Sequence, residues 1–192
     1  MRVFLAGASG VIGQRLVPLL VAAGHTVGAM TRSPGKRALL ANLGAEPIVC
    51  DVFDRAALIE AVRDFTPDVI LNELTDLPDD AGSLRDYALS NARIRTEGNQ
   101  NLLEAARQSG CLRFLAQSVA WQLADPAGAA AVADLERAVL AANGVVLRYG
   151  QFYGPGTYFQ DEVPARPRVH IDHAAERTVQ LLRAPSGVVV ID

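Results

Sequence analysis

Several features that would narrow the function are scarce in this chain of 192 residues. Its two cysteines, Cys50 and Cys111, stand alone in apolar surroundings and form no C-x-x-C pair. We therefore predict two buried reduced thiols and neither a disulfide nor a metal site. Apolar residues never run uninterrupted for the roughly 18 positions of a membrane helix. Because Met1 leads directly into the first predicted strand, no room is left for a signal peptide, and we expect a cytoplasmic protein without a membrane partner.

The chain also lacks an excess of positive charge. The formal net charge is -3 at pH 7, and the sequence pI is about 5.6. Without a basic stripe to neutralise phosphates, a nucleic-acid partner is disfavoured, and small molecules are the expected ligands. A chain of this length buries about 70% of its unfolded surface as one domain, so we predict a single domain over residues 1–192.

The first 23 residues carry the clearest pattern. An apolar run, Val3 to Ala6, leads into glycines spaced G-x-x-G-x-x-G and then into an amphipathic helix. Glycines at this junction permit the tight turn and the approach of backbone to a diphosphate, while the helix N-terminus attracts the anion. The pattern predicts a dinucleotide site with diphosphate contacts from Gly7, Ser9, Gly10, Val11, Ile12 and Gly13.

The rest of the chain alternates apolar strands with helical periodicity. This alternation predicts an α/β fold, a Rossmann-type doubly wound parallel sheet with right-handed crossovers. We expect a long helix from Ser83 to about Ser109 and a pocket-lining loop from Gly150, followed by a last helix that starts near Val169. The predicted strands after the first cover residues 26–30, 45–50, 68–71, 111–117, 145–149 and 187–191.

The end of the second strand bears on the choice of cofactor. An acid at this point accepts the ribose 2′-hydroxyl of NAD, whereas an arginine accommodates the 2′-phosphate of NADP. Thr31 is followed by Arg32 and Ser33 with no acid, which favours NADP over NAD. The alternative is a solvated basic helix start without a ligand.

Ligands of such sheets bind at the carboxyl ends of the strands, where further candidates lie. Asp51 and Val52 follow the third strand and are candidates for the adenine, although Asp51 equally suits the start of the next helix. Glu73 follows the fourth strand, where a partly dry groove would raise its pKa; hydrogen bonding to neighbouring backbone is the alternative. The remaining candidates for cofactor contact are Thr31, Leu74, Gln117, Tyr149 and Gln151.

Four segments resemble the extended short-chain dehydrogenase/reductase superfamily, the NAD(P)-dependent epimerase/dehydratase group. The resemblance implies a Rossmann domain with a C-terminal substrate-binding part, reduced here to residues 150–192. It also implies a homodimer paired through the helices over residues 83–109 and 130–143. The segments are Gly7 to Gly13, Gly98 to Ala106, Leu147 to Gly156 and Val169 to Ala175.

The catalytic set of that family is only partly present. Ser118 matches the family's serine or threonine, but the tyrosine and lysine positions fall on Gly128 and Val132. Since Lys36 is the sole lysine of the chain, no Tyr-x-x-x-Lys can occur anywhere in it. That pair performs the family's acid–base step, and proton transfer of this kind contributes typically about 10²–10⁴-fold in rate.

Two function classes remain open. An atypical NADP-dependent oxidoreductase would pass hydride to an acceptor such as a quinone or flavin, with Ser118, Glu73 or Tyr153 polarising it. A catalytically silent module would bind NADP(H) and report its status to a partner. A methyltransferase is disfavoured because it would need an acid where Arg32 stands.

Overall fold

A parallel sheet of seven strands forms the centre of the protein. The computed structural model describes residues 1–78 and 80–192. The strand order is β3-β2-β1-β4-β5-β6-β9, and every neighbouring pair is parallel. The strands are β1 (Arg2–Ala6), β2 (Thr26–Thr31), β3 (Glu46–Val49), β4 (Val69–Asn72), β5 (Phe114–Val119), β6 (Val145–Tyr149) and β9 (Gly187–Ile191).

Helices cover both faces of this sheet, because its central strands are apolar on both sides. One face packs against α1 and α7 through residues such as Leu16 and Ala174, and the other against α3, α5 and α6 through Leu58, Leu102 and Leu135. The predicted doubly wound Rossmann-type sheet is confirmed. The helices are α1 (Gly13–Ala22), α2 (Arg37–Asn42), α3 (Arg55–Phe65), α4 (Ala88–Arg93), α5 (Asn99–Ser109), α6 (Pro126–Ala141) and α7 (Ile171–Gln180).

The long helix expected from Ser83 is wrong over residues 83–87 and is not one regular α-helix beyond them. Regular helix starts only at Ala88, and a π-helical turn, Ile94–Gly98, separates α4 from α5. The Ser83 hydroxyl donates to Asp80 at 3.2 Å, a local bond of the kind that competes with helix formation. Gly98 permits close packing at the π turn, since a Cβ there would lie 3.1 Å from Ile94 Cγ1.

The segment after Gly150 also differs from the expected loop. Gln151–Tyr153 forms β7, which pairs in parallel with β8 (Arg168–His170) as a separate two-stranded sheet. The last helix therefore begins at Ile171 instead of near Val169, with His170 Nδ1 accepting from the N–H of Asp172. Three-residue strands are too short for an alternating pattern to predict.

Both cysteines are buried and free, as predicted. Over the described residues 1–78 and 80–192, no helix combines the length and apolarity needed to cross a membrane.

Candidate cofactor and substrate site

The glycine-rich turn between β1 and α1 is packed so tightly that two of its positions exclude a side chain. A Cβ at Gly7, whose φ is +88°, would lie 2.6 Å from the carbonyl oxygen of Glu73. A Cβ at Gly13 would lie 2.3 Å from the carbonyl oxygen of Gly7. At Gly10 the nearest atom is 3.3 Å away, so this glycine lies on the open side of the turn. The N–H of Gln14 at the start of α1 already donates to the carbonyl oxygen of Gly10 at 3.0 Å, so an anion would meet the N–H groups of the turn that precedes it.

Hydrogen bonds fix this turn to the end of β2. The Ser9 hydroxyl lies 3.0 Å from that of Thr31, which also accepts from the N–H of Ser33 at 3.2 Å. Gln14 Nε2 donates to the carbonyl oxygen of Ser9 at 2.9 Å. The predicted diphosphate end and ribose end of the groove are therefore held together by side chains.

An acid does lie beside the end of β2, contrary to the expectation from the local sequence. Asp76, from the segment after β4, accepts from Arg32 Nη2 at 3.0 Å. The Asp76 side chain is 16% exposed, whereas that of Arg32 is 64% exposed. The fold brings together residues 44 positions apart, which local sequence inspection does not detect.

The predicted adenine contacts have other partners within the chain. Asp51 is exposed, and its side chain accepts from the N–H of Phe53 at 2.9 Å. Asp54 caps α3 by accepting from the N–H of Ala57, so the alternative of Asp51 as the helix cap is wrong. Val52 is buried and packs against Gly98. Adenine contact by Asp51 and Val52 stays a prediction.

Glu73 begins a chain of hydrogen bonds that runs from β4 into α7. Its Oε1 lies 3.0 Å from the Tyr149 hydroxyl, which lies 2.6 Å from the Thr178 hydroxyl. Thr178 in turn lies 2.7 Å from the carbonyl oxygen of Ala174. The three contacts need three hydrogens, and the two hydroxyls supply only two. A protonated Glu73 supplies the third, whereas an ionised Glu73 accepts from Tyr149 and leaves the chain one hydrogen short.

Burial favours the same neutral form. Desolvation raises the pKa of Glu73 to about 8, opposed only by the hydrogen bond from Tyr149. Its Oε2 is buried and has no hydrogen-bond partner among the described residues, and burial also raises the pKa of Tyr149. The predicted raised pKa fits this geometry, and the alternative of backbone hydrogen bonds does not. Both side chains are buried, and cofactor contact by Tyr149 and a catalytic role of Glu73 stay predictions.

A second polar cluster is buried on the opposite face of the sheet, under α6. The Ser118 hydroxyl donates to Glu136 Oε1 at 2.6 Å. Arg148 donates to both oxygens of the same carboxylate, from Nε at 2.8 Å and from Nη2 at 2.6 Å. Arg148 is the main cause that lowers the pKa of Glu136. Ser118 is fully buried in this cluster, so its predicted polarising role would act through Glu136 and Arg148.

Arg95 lies beside this cluster and was not predicted from the sequence. It lies in the π turn and is 4% exposed, and its buried Nε has no hydrogen-bond partner within residues 1–78 and 80–192. Desolvation lowers its pKa to about 10, opposed by the charge of Glu136, so the group remains cationic at neutral pH. A signal existed: Arg95 shares a helical stripe with Asn99, Leu102 and Ala106, all of them buried.

A cleft of about 360 Å³ opens beside this cluster, between the segment after β5 and the first half of α6. Trp121 and Val132 form part of its walls, and Glu136 and Arg148 supply its charged groups. Val132 is the position where the family's lysine was expected. The cleft therefore lies where α6 carries small or apolar side chains instead of the Tyr-Lys pair.

The segment after β7 is attached over the carboxyl edge of the sheet. Arg15 of α1 donates to Asp172 at 2.7 Å, to the carbonyl oxygen of Val11 at 2.8 Å and to that of Pro155. On the other side of the sheet's centre, the Tyr158 hydroxyl donates to the carbonyl oxygen of Pro78. The segment after β7 thus reaches across to the segment after β4.

Most of the remaining side chains that were predicted to contact a ligand have partners within the protein. The Tyr153 ring packs edge-on against His170, with centroids 5.2 Å apart. Gln151 donates to the carbonyl oxygen of Ala165, and the Leu74 N–H donates to Asn72. Gln117 is half-buried on β5. Ligand contact by these side chains stays a prediction.

Comparison with known proteins agrees with this geometry. A family model described as NAD(P)H-binding matches residues 7–149. A 3-diazoavenalumate denitrifying reductase from a Streptomyces species is 40% identical over 180 residues, covering 82% of this chain. The chain spans only 58% of that relative's length.

Solved structures show the same fold. A UDP-glucose 4-epimerase from Thermus thermophilus, in complex with NAD, has a TM-score of 0.79 at 21% identity and covers all of this chain. The corresponding epimerase from Thermotoga maritima, with UDP-glucose, has a TM-score of 0.80 at 16% identity and also covers all of it. This chain covers 77% and 76% of the two epimerases, respectively.

Proposed function

Because the chain belongs to the NAD(P)H-binding family, we propose that it is an atypical reductase that uses NADPH without a Tyr-Lys pair. The glycine cradle carries the cofactor part of this proposal. A side chain at Gly7 or Gly13 would collide with backbone, while the open side at Gly10 leaves space for a diphosphate. Gly7, Ser9 and Gly10 to Gly13 would hold that group.

NADP preference is the finer part of the cofactor proposal. Arg32 is exposed enough to meet a 2′-phosphate, and Asp76 is the acid that NAD would require. We propose that the phosphate competes with Asp76 for the guanidinium, which gives NADPH the advantage through a charge-assisted hydrogen bond.

The missing acid–base pair restricts the acceptor. The bound dinucleotide supplies a hydride, and carbonyl reduction would then require protonation of an alkoxide. An arenediazonium group needs no such proton, because hydride addition at its terminal nitrogen gives a neutral diazene that loses N₂. The name of the Streptomyces relative describes reductive denitrification of a diazo compound, which supports a diazo acceptor for this chain.

The activity test is the oxidation of NADPH, followed by absorbance, in the presence of an arenediazonium salt. Mass spectrometry of the deaminated arene identifies the product. Quinones, flavins and simple carbonyl compounds form the comparison panel, and reactions without protein correct for uncatalysed reduction. Consumption of the diazonium at the uncatalysed rate would contradict the assignment.

Two glycine variants separate cofactor binding from folding. Gly10→Val meets only one backbone oxygen at 3.3 Å, so the variant should fold but lose NADPH binding in calorimetry. Gly13→Val meets backbone at 2.3 Å and should fail to fold. Unchanged NADPH affinity in Gly10→Val would mean that the diphosphate lies elsewhere.

A silent NADP(H)-binding module is the second candidate. It is favoured by the absence of lysine from α6 and by the burial of Ser118, Glu73 and Tyr149. Tight NADPH binding without turnover of any panel compound would select this candidate.

We further propose that two copies pair through the surface of α4 and α6. These helices pack side by side, and Leu89 on α4 is 77% exposed. Leu89→Glu should convert a dimer to a monomer in sedimentation, whereas a wild-type monomer would contradict the pairing.

A further inference from the structure

We propose that residues 154–160 form a strap across the dinucleotide groove, and that Arg15 is the positioning residue that keeps this strap closed. The inference rests on the proposed binding of NADPH, and it names the residues that determine how long the cofactor stays bound. Two side chains attach the strap to the rest of the protein, Arg15 from α1 and Tyr158 from the strap itself.

Arg15 lies in the first turn of α1 and joins three parts of the chain. Its Nη1 donates to the carbonyl oxygen of Val11 in the glycine-rich turn at 2.8 Å. Its Nη2 donates to the carbonyl oxygen of Pro155 in the strap, and its Nε donates to Asp172 at the start of α7 at 2.7 Å. Because the guanidinium is planar and its donors have fixed directions, these bonds hold the strap at a fixed position on the turn.

The strap also lies directly against the glycine-rich turn. A Cβ at Gly156, whose φ is +79°, would lie 3.7 Å from Val11 Cγ2, which is an ordinary van der Waals distance. Val11 follows Gly10, the glycine on the open side of the turn. The strap therefore borders the side of the turn from which a diphosphate would approach.

Hydrogen bonds within the strap give it a shape of its own. The N–H and the hydroxyl of Thr157 both donate to the carbonyl oxygen of Gly154, at 3.2 and 2.8 Å. The Gly154 N–H donates to the carbonyl oxygen of Phe159 at 3.0 Å, and the Gly156 N–H donates to Gln160 Oε1 at 3.4 Å. A compact loop with this many internal bonds moves as one unit, so the loss of its attachments should lift it without unfolding it.

The Tyr158 hydroxyl makes the second attachment by donating to the carbonyl oxygen of Pro78, in the segment after β4. The strands β1 and β4 are neighbours in the sheet, so the strap is attached beside the carboxyl ends of both. A dinucleotide in a sheet of this kind spans the half with β1 to β3 and the half with β4 to β6 across the same edge. It would therefore pass between the sheet and the strap, which must open for the cofactor to enter or leave.

The release of NADPH, displaced by excess NADP⁺ and followed by nicotinamide fluorescence in a stopped-flow instrument, tests the strap. Arg15→Met should raise the dissociation rate constant about tenfold, the effect of losing one charge-assisted hydrogen bond. The association rate constant should stay the same or increase, because an unattached strap does not hinder entry. An unchanged dissociation rate constant in Arg15→Met would overturn the proposal.

Two further variants show whether the effect belongs to the strap. Tyr158→Phe removes the attachment to Pro78, which lies outside the glycine-rich turn, and it should also raise the dissociation rate constant. Where Arg15→Met does not fold, Tyr158→Phe carries the test, and an unchanged rate constant in it overturns the proposal. Arg177→Met is the matched control, because it removes an exposed guanidinium of α7 that donates to Gln180. Its rate constants should equal those of the wild type, and a change as large as that of Arg15→Met would contradict a specific role of Arg15.

The ligand 2′,5′-ADP separates the strap from the turn beneath it. It occupies only the adenosine half of the groove and does not extend under the strap, so calorimetry should give it the same affinity for Arg15→Met and for the wild type. An equal loss of affinity for 2′,5′-ADP and for NADPH would mean that the variant has damaged the nucleotide site, and it would overturn the strap.

The outcomes also distinguish the strap from the proposed reductase. Faster NADPH release from Arg15→Met, in a protein that reduces no diazonium salt, would support the strap and contradict only the reductase. Unaltered release in a protein that does reduce the salt would overturn only the strap. Failure of the wild type to bind NADPH would overturn both.

Discussion

Glu73 and Glu136 are buried on opposite faces of one sheet, yet their surroundings favour opposite protonation states. Glu73 has hydroxyl neighbours, and desolvation raises its pKa to about 8. Glu136 receives two hydrogen bonds from Arg148, and its pKa is lowered. Burial alone therefore does not decide the charge of a carboxyl group in this fold. A cation within hydrogen-bond distance decides it.

The two clusters are polar interiors of different kinds. The Glu73 chain is neutral when protonated and is complete within the protein, apart from Oε2. The Glu136 cluster is ionised and contains two guanidinium groups, those of Arg148 and Arg95, for one carboxylate. We therefore expect the first cluster to change protonation near neutral pH and the second to stay ionised there.

The largest expected effect follows from replacing Glu73 with glutamine. The folded wild type holds a proton that the unfolded chain loses near pH 4.5, so its free energy of unfolding should fall as pH rises from about 4.5 to about 8. At about 1.36 kcal/mol per pKa unit, the full loss relative to Glu73→Gln is roughly 5 kcal/mol. Urea unfolding from pH 5 to pH 9 measures it.

The exposed Glu176 on α7 provides the control, since Glu176→Gln should follow the wild-type pH dependence. A wild-type to Glu73→Gln difference that stays constant across this range would mean that Glu73 is ionised in the folded protein.

The second prediction concerns Arg148, the cation that binds the Glu136 carboxylate. Arg148→Met should lower the free energy of unfolding by about 2 kcal/mol at pH 7, because Glu136 loses two charge-assisted hydrogen bonds from an arginine that is itself partly exposed. Arg137→Met on the exposed side of α6 should change it by less than about 0.5 kcal/mol. Equal effects of the two variants would remove the distinction between the clusters.

Sequence alone predicted the parts of the molecule that depend on local spacing. The glycine turn and the alternation of strands and helices specify the parallel sheet, and both are contiguous patterns. Asp76 beside Arg32 and Arg95 beside Glu136 join residues from distant elements. The helical stripe indicates that Arg95 is buried, but no local pattern identifies its partner or that of Arg32. The π turn was missed because an inserted residue shifts helical periodicity without altering composition.

A third ion pair, Arg32 with Asp76, lies at the end of β2. Asp76→Asn frees Arg32 for a 2′-phosphate and should increase the preference for NADPH over NADH about tenfold, which corresponds to about 1.4 kcal/mol. Arg32→Ala should reduce the preference by a similar factor. Calorimetric titration with both cofactors measures the ratio, and equal wild-type affinities for NADPH and NADH would contradict the assigned preference.

The smallest expected effect tests the direction of the hydrogen bonds from Glu73. In the protonated chain, Tyr149 donates to Thr178, and Thr178→Val removes that acceptor. Tyr149 must then donate to Glu73, which favours the ionised carboxylate and should lower the pH at which stability is lost. The variant should also lose about 1 kcal/mol of stability at pH 6, the value of one hydrogen bond. Thr178→Ser keeps the hydroxyl and should restore the wild-type midpoint. An unchanged midpoint in Thr178→Val would mean that Glu73 does not donate a hydrogen bond to Tyr149 in the wild type.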